Sequence, residues 1–230
     1  MGELFLGALS IVLVDVVLAG DNACVIAMAV RRLPRRQRLI GIVLGAGAAV
    51  VLRVSLTFVA SQIIMLPFLK LLGGVLVLWI AVKLLRENPT CELNGREAKR
   101  LLEAIKLIMV ADLVMSTDNI LAIAAVANGD VLLLMFGLGL SIPLVVFGSS
   151  FLCMLMDRYP AATYLAAAVL GKVGGELIIT DPYIRQFYHA PHAVEIAVQV
   201  LAAAAVISVA RFLMRRSIKR EEWGSAWRRS

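Results

Sequence analysis

Hydrophobic residues in this chain come in long runs, not in alternating or narrow amphipathic patterns. Seven runs lie at about 4–30, 39–62, 67–86, 103–127, 131–155, 161–180 and 194–214. Roughly 20 helical residues cross a hydrocarbon core of about 30 Å. Backbone groups in lipid must be satisfied within the segment, so runs of this length predict helices. Barrel strands would be about half as long and would alternate. The expected fold class is all-α: a polytopic membrane protein with seven transmembrane helices. Residues 1–230 read as a single transmembrane domain, with no room for a soluble catalytic domain. The start, Met1-Gly2-Glu3, lacks a basic n-region, and the first run is long for a signal peptide. The first span is therefore expected to be retained.

Charge adds an orientation. The net charge of +7 would suit a nucleic-acid binder, but its distribution argues otherwise. Arg31, Arg32, Arg35, Arg36 and Arg38 follow the first run; Arg96, Lys99 and Arg100 precede the fourth; Arg215, Arg216, Lys219, Arg220, Arg228 and Arg229 follow the seventh. These loops alternate to one side, as the positive-inside rule requires. The expected topology is N-terminus outside, C-terminus cytoplasmic. The expected partner is membrane lipid, with no nucleic acid. The basic tail, 215–230, carries Trp223 and Trp227 and is expected at the headgroups.

Two of the apolar runs contain the same polar motif. Residues 11–30 read IVLVDVVLAGDNACVIAMAV and residues 108–127 read IMVADLVMSTDNILAIAAVA. Each places Asp, five residues, then Asp-Asn: Asp15 with Asp21 and Asn22, and Asp112 with Asp118 and Asn119. A carboxylate at the centre of a spanning helix costs roughly 2.5–3.5 kcal/mol on insertion scales. Four such groups at matched positions point to a cation site. The motifs are separated by three spans, so the second unit enters the membrane from the opposite side. Two inverted three-helix repeats follow, at about 4–86 and 103–180, plus one extra helix at about 194–214. Such repeats place their substrate site near the midplane, often on broken helices.

Residues seven apart nearly share a helix face, so Asp15 and Asn22 point together, as do Asp112 and Asn119. Asp21 and Asp118 would point about a third of a turn away on a straight helix. A local break at Gly20, or one loosened by Ser116 and Thr117, would bring each set together and free carbonyl oxygens. Oxygen ligands of this kind suit a hard divalent ion such as Mn²⁺, Mg²⁺ or Ca²⁺. The competing reading is that Asp21-Asn22 and Asp118-Asn119 cap half-helices.

Other charges in the spans need partners. Arg53 lies deep in the second span, and pairing with a motif aspartate is the expected compensation, with gating as a refinement. Lys83 is expected to snorkel at the cytoplasmic end of the third span. Lys172 and Glu176 are one turn apart and can simply pair; Glu176 is alternatively a proton site or a further ligand. His189 and His192 fall in an external loop. Cys24, Cys91 and Cys153 show no Cys-x-x-Cys spacing, which excludes a thiolate metal site of that type.

The doubled Asp-x5-Asp-Asn motif, the segment Leu72-Gly73-Gly74-Val75 through Lys83-Leu84-Leu85, and Gly175-Glu176-Leu177-Ile178-Ile179-Thr180-Asp181-Pro182 resemble the TerC family of integral membrane proteins, and within it the short YjbE-type branch. The similarity covers nearly the whole chain. The resemblance implies a bacterial inner-membrane protein tied to tellurium resistance and, in several branches, to manganese efflux. It also implies kinship with LysE-type exporters. The family's motif acids fall on Asp15, Asp21, Asp112 and Asp118, with Asn22 and Asn119 beside them; Lys172 is not part of that pattern.

The reading that results is a secondary transporter exporting a divalent cation, manganese foremost, by exchange for protons. Mn²⁺ is its transported ligand; no tightly bound cofactor is expected, and a homo-oligomer is compatible with the pattern. The chain has no Gly-x4-Gly-Lys-Ser/Thr phosphate loop, so ATP hydrolysis is not expected, nor is any other enzyme activity. Alternative readings are a LysE-type exporter of amino acids or other small solutes, and an accessory protein supplying metal to secreted enzymes. An intramembrane aspartyl protease is disfavoured, because neither a Tyr-Asp nor a Gly-x-Gly-Asp signature occurs.

Overall fold

The computed structural model describes residues 20–31, 33–63, 68–86, 97–127, 131–188 and 190–227. Among them are eight helices and no strand: α1 (Gly20–Val30), α2 (Arg35–Ile63), α3 (Leu69–Arg86), α4 (Glu97–Ala127), α5 (Val131–Arg158), α6 (Pro160–Ile179), α7 (Pro182–Phe187) and α8 (His192–Trp227). The described residues form an all-helical fold, and each apolar run after the first coincides with one long helix. Four segments among the described residues are long and apolar enough to cross a membrane: Arg35–Leu56, Leu138–Arg158, Pro160–Ile179 and His192–Met214. α1 is described only from Gly20, and α3 carries Lys70, Lys83 and Arg86 within its 18 residues.

Two elements differ from the sequence expectation. Part of the loop expected between the sixth and seventh runs is helical: Asp181 caps α7 and Pro182 occupies its first turn. That pairing is a strong local start signal, because the carboxylate accepts an orphan amide and proline needs none. The last helix also continues past the apolar run to Trp227. Arg, Lys and Glu dominate that extension, and all three are good helix formers, so the backbone has no reason to stop at residue 214.

Small residues let the helices approach. A Cβ on Gly74 of α3 would stand 2.6 Å from the Gly174 carbonyl of α6, so these backbones touch. On another side of α6, Gly171 and Gly175 lie one turn apart against Ala203 and Ala202 of α8. This is the small-xxx-small packing that drives helix association where lipid removes the hydrophobic difference.

Two polar ties mark the ends of the bundle. At one end, Arg31 closing α1 donates to the Thr163 hydroxyl near the start of α6 and pairs with Asp157 of α5 at 3.5 Å. Arg38 of α2 also pairs with Asp157 and donates back to the Arg31 carbonyl at 3.0 Å. At the opposite end of α6 the Asp181 side chain is fully buried. Its Oδ1 accepts from the Tyr183 amide at 2.8 Å, and its Oδ2 from the Leu71 amide of α3 at 2.9 Å. One carboxylate therefore caps two helices, α7 in sequence and α3 across space. Just before α3, Phe68 takes a left-handed φ of 66° and its ring packs, tilted by 37°, against Tyr183 with the centroids 4.3 Å apart. Because α3 starts at this end, Lys83 and Arg86 lie at the end marked by Arg31.

Candidate functional site

The second motif rides on α4, which runs as an unbroken α-helix from Glu97 to Ala127. The local break expected around Ser116 and Thr117 does not occur. Ser116 is fully buried, and its hydroxyl accepts a hydrogen bond from Arg53 Nε at 3.2 Å. The hydroxyl thus serves a neighbouring helix. Asp112 sits one turn earlier on the same face, as a spacing of four requires. Its Oδ1 accepts from Arg53 Nη2 at 2.7 Å. The side chains of both members of this ion pair are 4 % exposed.

Arg53 thus reaches from α2 into the face of α4 and spans two polar groups with one planar fork, a geometry that lysine cannot reproduce. The pair is short and charge-assisted. Removing one partner of such a pair typically costs 3–5 kcal/mol, because the other charge stays buried. The intramembrane arginine has the aspartate partner that its depth demands.

From the first motif, Asn22 is 5 % exposed in α1. Neither its Oδ1 nor its Nδ2 has a hydrogen-bond partner among the described residues. An unsatisfied buried polar group costs roughly 1–3 kcal/mol, so an amide left with both ends open is expensive. α1 packs against α4 and α6, which carry Asp112 and Lys172. Asp21, at the start of α1, is only partly buried and lies within electrostatic reach of Lys172.

Lys172 and Glu176 pair at 3.9 Å on the surface of α6, 56 % and 48 % exposed, as their spacing predicts. Lys83 stands 5.0 Å from the Trp79 ring centroid, near the end of α3. His192 faces Glu195 at 3.7 Å and is 86 % exposed, while His189 lies outside the described residues. Asp15 also lies outside them, as do the side chains of Asp118 and Asn119, although the backbone of both belongs to α4. Among the described residues, no three His, Cys, Asp or Glu side chains gather at a metal-sized site.

Sequence reasoning missed Ser116 as a partner of Arg53 and Asp181 as a double cap. Asp181-Pro182 is legible as a helix start, but the trans bond to Leu71 has no local signal.

Four helices among the described residues are long and apolar enough to cross a membrane, as an integral membrane protein requires. The model for the "Integral membrane protein TerC family" matches residues 2–218, and the chain belongs to that family. It is 36 % identical over 205 residues to the "Uncharacterized membrane protein YjbE" of Bacillus subtilis, covering 89 % of this chain and 94 % of that one. It is 29 % identical over 194 residues to the "UPF0053 inner membrane protein YgdQ" of Escherichia coli K12, covering 76 % and 80 %. It is 24 % identical over 223 residues to the "Uncharacterized membrane protein YceF" of Bacillus subtilis, covering 93 % and 84 %. No solved structure matches the chain.

Proposed function

We propose that this chain is a secondary transporter that exports a hard divalent cation, manganese foremost, across the bacterial inner membrane. The observation that carries the reading is the pairing of Asp112 with Arg53 inside the bundle, together with a buried Asn22 whose two amide atoms have no partner among the described residues. Arg53 serves as the internal counter-charge of Asp112. An arriving cation takes over that role, and the oxygens of Asp15, Asp21, Asn22, Asp112, Asp118 and Asn119 supply ligands of the kind a hard ion prefers.

In this reading the chain crosses the membrane seven times as two inverted repeats, α1–α3 and α4–α6, with α8 as the extra span. Helix neighbours support it. Exchanging the units turns α1–α5 packing into α4–α2 packing, α1–α6 into α4–α3, and α1–α2 into α4–α5. α1 packs on α4, α2 on α5 and α3 on α6, as helices astride a shared axis would. α8 packs on both α3 and α6. The C-terminus is cytoplasmic in this reading, which the distribution of basic residues among the loops supports.

Export of a divalent ion against an inside-negative potential of 100 mV requires roughly 4.6 kcal/mol, at about 2.3 per charge. Two carboxylates that take up protons on the return step make the exchange electroneutral. The deciding experiment is flux in proteoliposomes, comparing Mn²⁺, Ca²⁺, Mg²⁺ and Zn²⁺ under an imposed pH gradient. Manganese movement driven by the gradient is expected. Movement of basic amino acids with no metal flux would replace this reading with a solute exporter.

A further inference from the structure

Between α3 and α8 a groove of about 660 Å³ opens on the surface of the bundle. Its volume falls within the roughly 300–1,000 Å³ typical of small-molecule sites. Leu78 and Val82 of α3 face Ala202, Ala205 and Val209 of α8 along it. Lys83 and Arg86 belong to the same lining, in the last turn of α3. Trp79, 56 % exposed, stands beside Lys83. The slot is therefore apolar along most of its length and cationic at the end of the bundle marked by Arg31, with an indole near that boundary.

We propose that this groove seats one anionic glycerophospholipid, with an acyl chain along the apolar slot and its phosphate beside Lys83 and Arg86. The charges choose the headgroup: basic pockets between helices on the cytoplasmic side attract anionic lipid, and a tryptophan at headgroup level favours the same depth. A second copy of the chain fits less well. A two-fold axis along the membrane normal would set this face on itself and bring both pairs of cations together at one depth. The seated lipid adds to the direct packing of α8 on α3 and α6.

The test uses the purified full-length protein in detergent, titrated with phosphatidylglycerol, phosphatidylcholine or inorganic phosphate, with bound lipids counted by native mass spectrometry. One phosphatidylglycerol should be retained at concentrations where phosphatidylcholine is lost. Lys83→Gln with Arg86→Gln should weaken that retention about thirtyfold, the scale expected for two basic residues near a headgroup. Ala205→Phe, which fills the slot at an exposed position, should weaken it with the charges intact. Four outcomes would overturn the proposal. They are equal retention of the two lipids, unchanged retention in both variants, displacement of the lipid by inorganic phosphate, and a dimer that excludes lipid.

Discussion

Arg53 Nη2 lies 2.7 Å from Asp112 Oδ1 in the bundle interior, joining α2 to α4 with an ion pair sealed from the surface. A pair in that position acts as one unit, because each charge makes the burial of the other tolerable.

Removing either member alone should therefore be worse than removing both. Arg53→Met and Asp112→Leu are each expected to lower stability by about 3–5 kcal/mol. The double variant should lose much less than the sum. Thermal unfolding in detergent across the double-mutant cycle checks this, and simple additivity would mean that the two groups do not interact. Arg53→Lys should fall between, since an ammonium cannot hold Asp112 and Ser116 with one fork.

Asn22 offers a separation of stability from activity. Asn22→Leu removes two buried polar atoms that have no hydrogen-bond partner among the described residues. The variant is expected to melt at the same temperature or higher, by up to about 1–3 kcal/mol of stability, since no hydrogen bond is lost. Manganese flux in proteoliposomes should fall nonetheless. A variant that loses stability and keeps full flux would show that the amide serves the fold alone.

The motif acids should matter singly. Asp→Asn at Asp15, Asp21, Asp112 or Asp118 keeps shape while removing charge and proton uptake. Each is expected to reduce manganese efflux strongly at equal protein in the membrane. Efflux should also slow as the site protonates, with an apparent pKa that belongs to the coupled acids. Parental efflux rates in all four single variants would end the transporter reading.

Asp181 holds two helix starts, so its loss should be felt at both. Asp181→Ala is expected to cost about 1–2 kcal/mol, within the range of a lost helix cap. Faster hydrogen exchange should appear at the Tyr183 and Leu71 amides together. Protection lost at Tyr183 alone would mean that the cap on α3 is not worth holding.

The Gly74–Gly174 contact gives the last prediction. Gly74→Ala puts a Cβ 2.6 Å from the Gly174 carbonyl and 2.7 Å from Ile178 Cγ1, so the backbone of α6 has to yield as well as a side chain. Overpacking of this kind is expected to cost about 1–3 kcal/mol. A thermal shift of the detergent-solubilised variant measures it, and Gly139→Ala, with open space around its Cβ, is the matched control.

The apolar runs after the first alone determined the long helices that carry them, because a long segment in lipid has one way to satisfy its own backbone. They also showed that Arg53 needs a carboxylate and that Lys172 would meet Glu176 one turn away. Tertiary packing decided what spacing could not. The sequence left open which motif aspartate Arg53 meets, and the approach of α2 to α4, where Gly45 lies against Ile108, brings Asp112 to it. Ser116 reads in sequence as a point where α4 could loosen, yet the fold turns its hydroxyl toward Arg53 and the helix runs on unbroken. Asp181 announces α7 locally, but its bond to Leu71 joins residues 110 positions apart. Local rules describe what a residue can offer its own helix, and only the assembled bundle determines which neighbour accepts it.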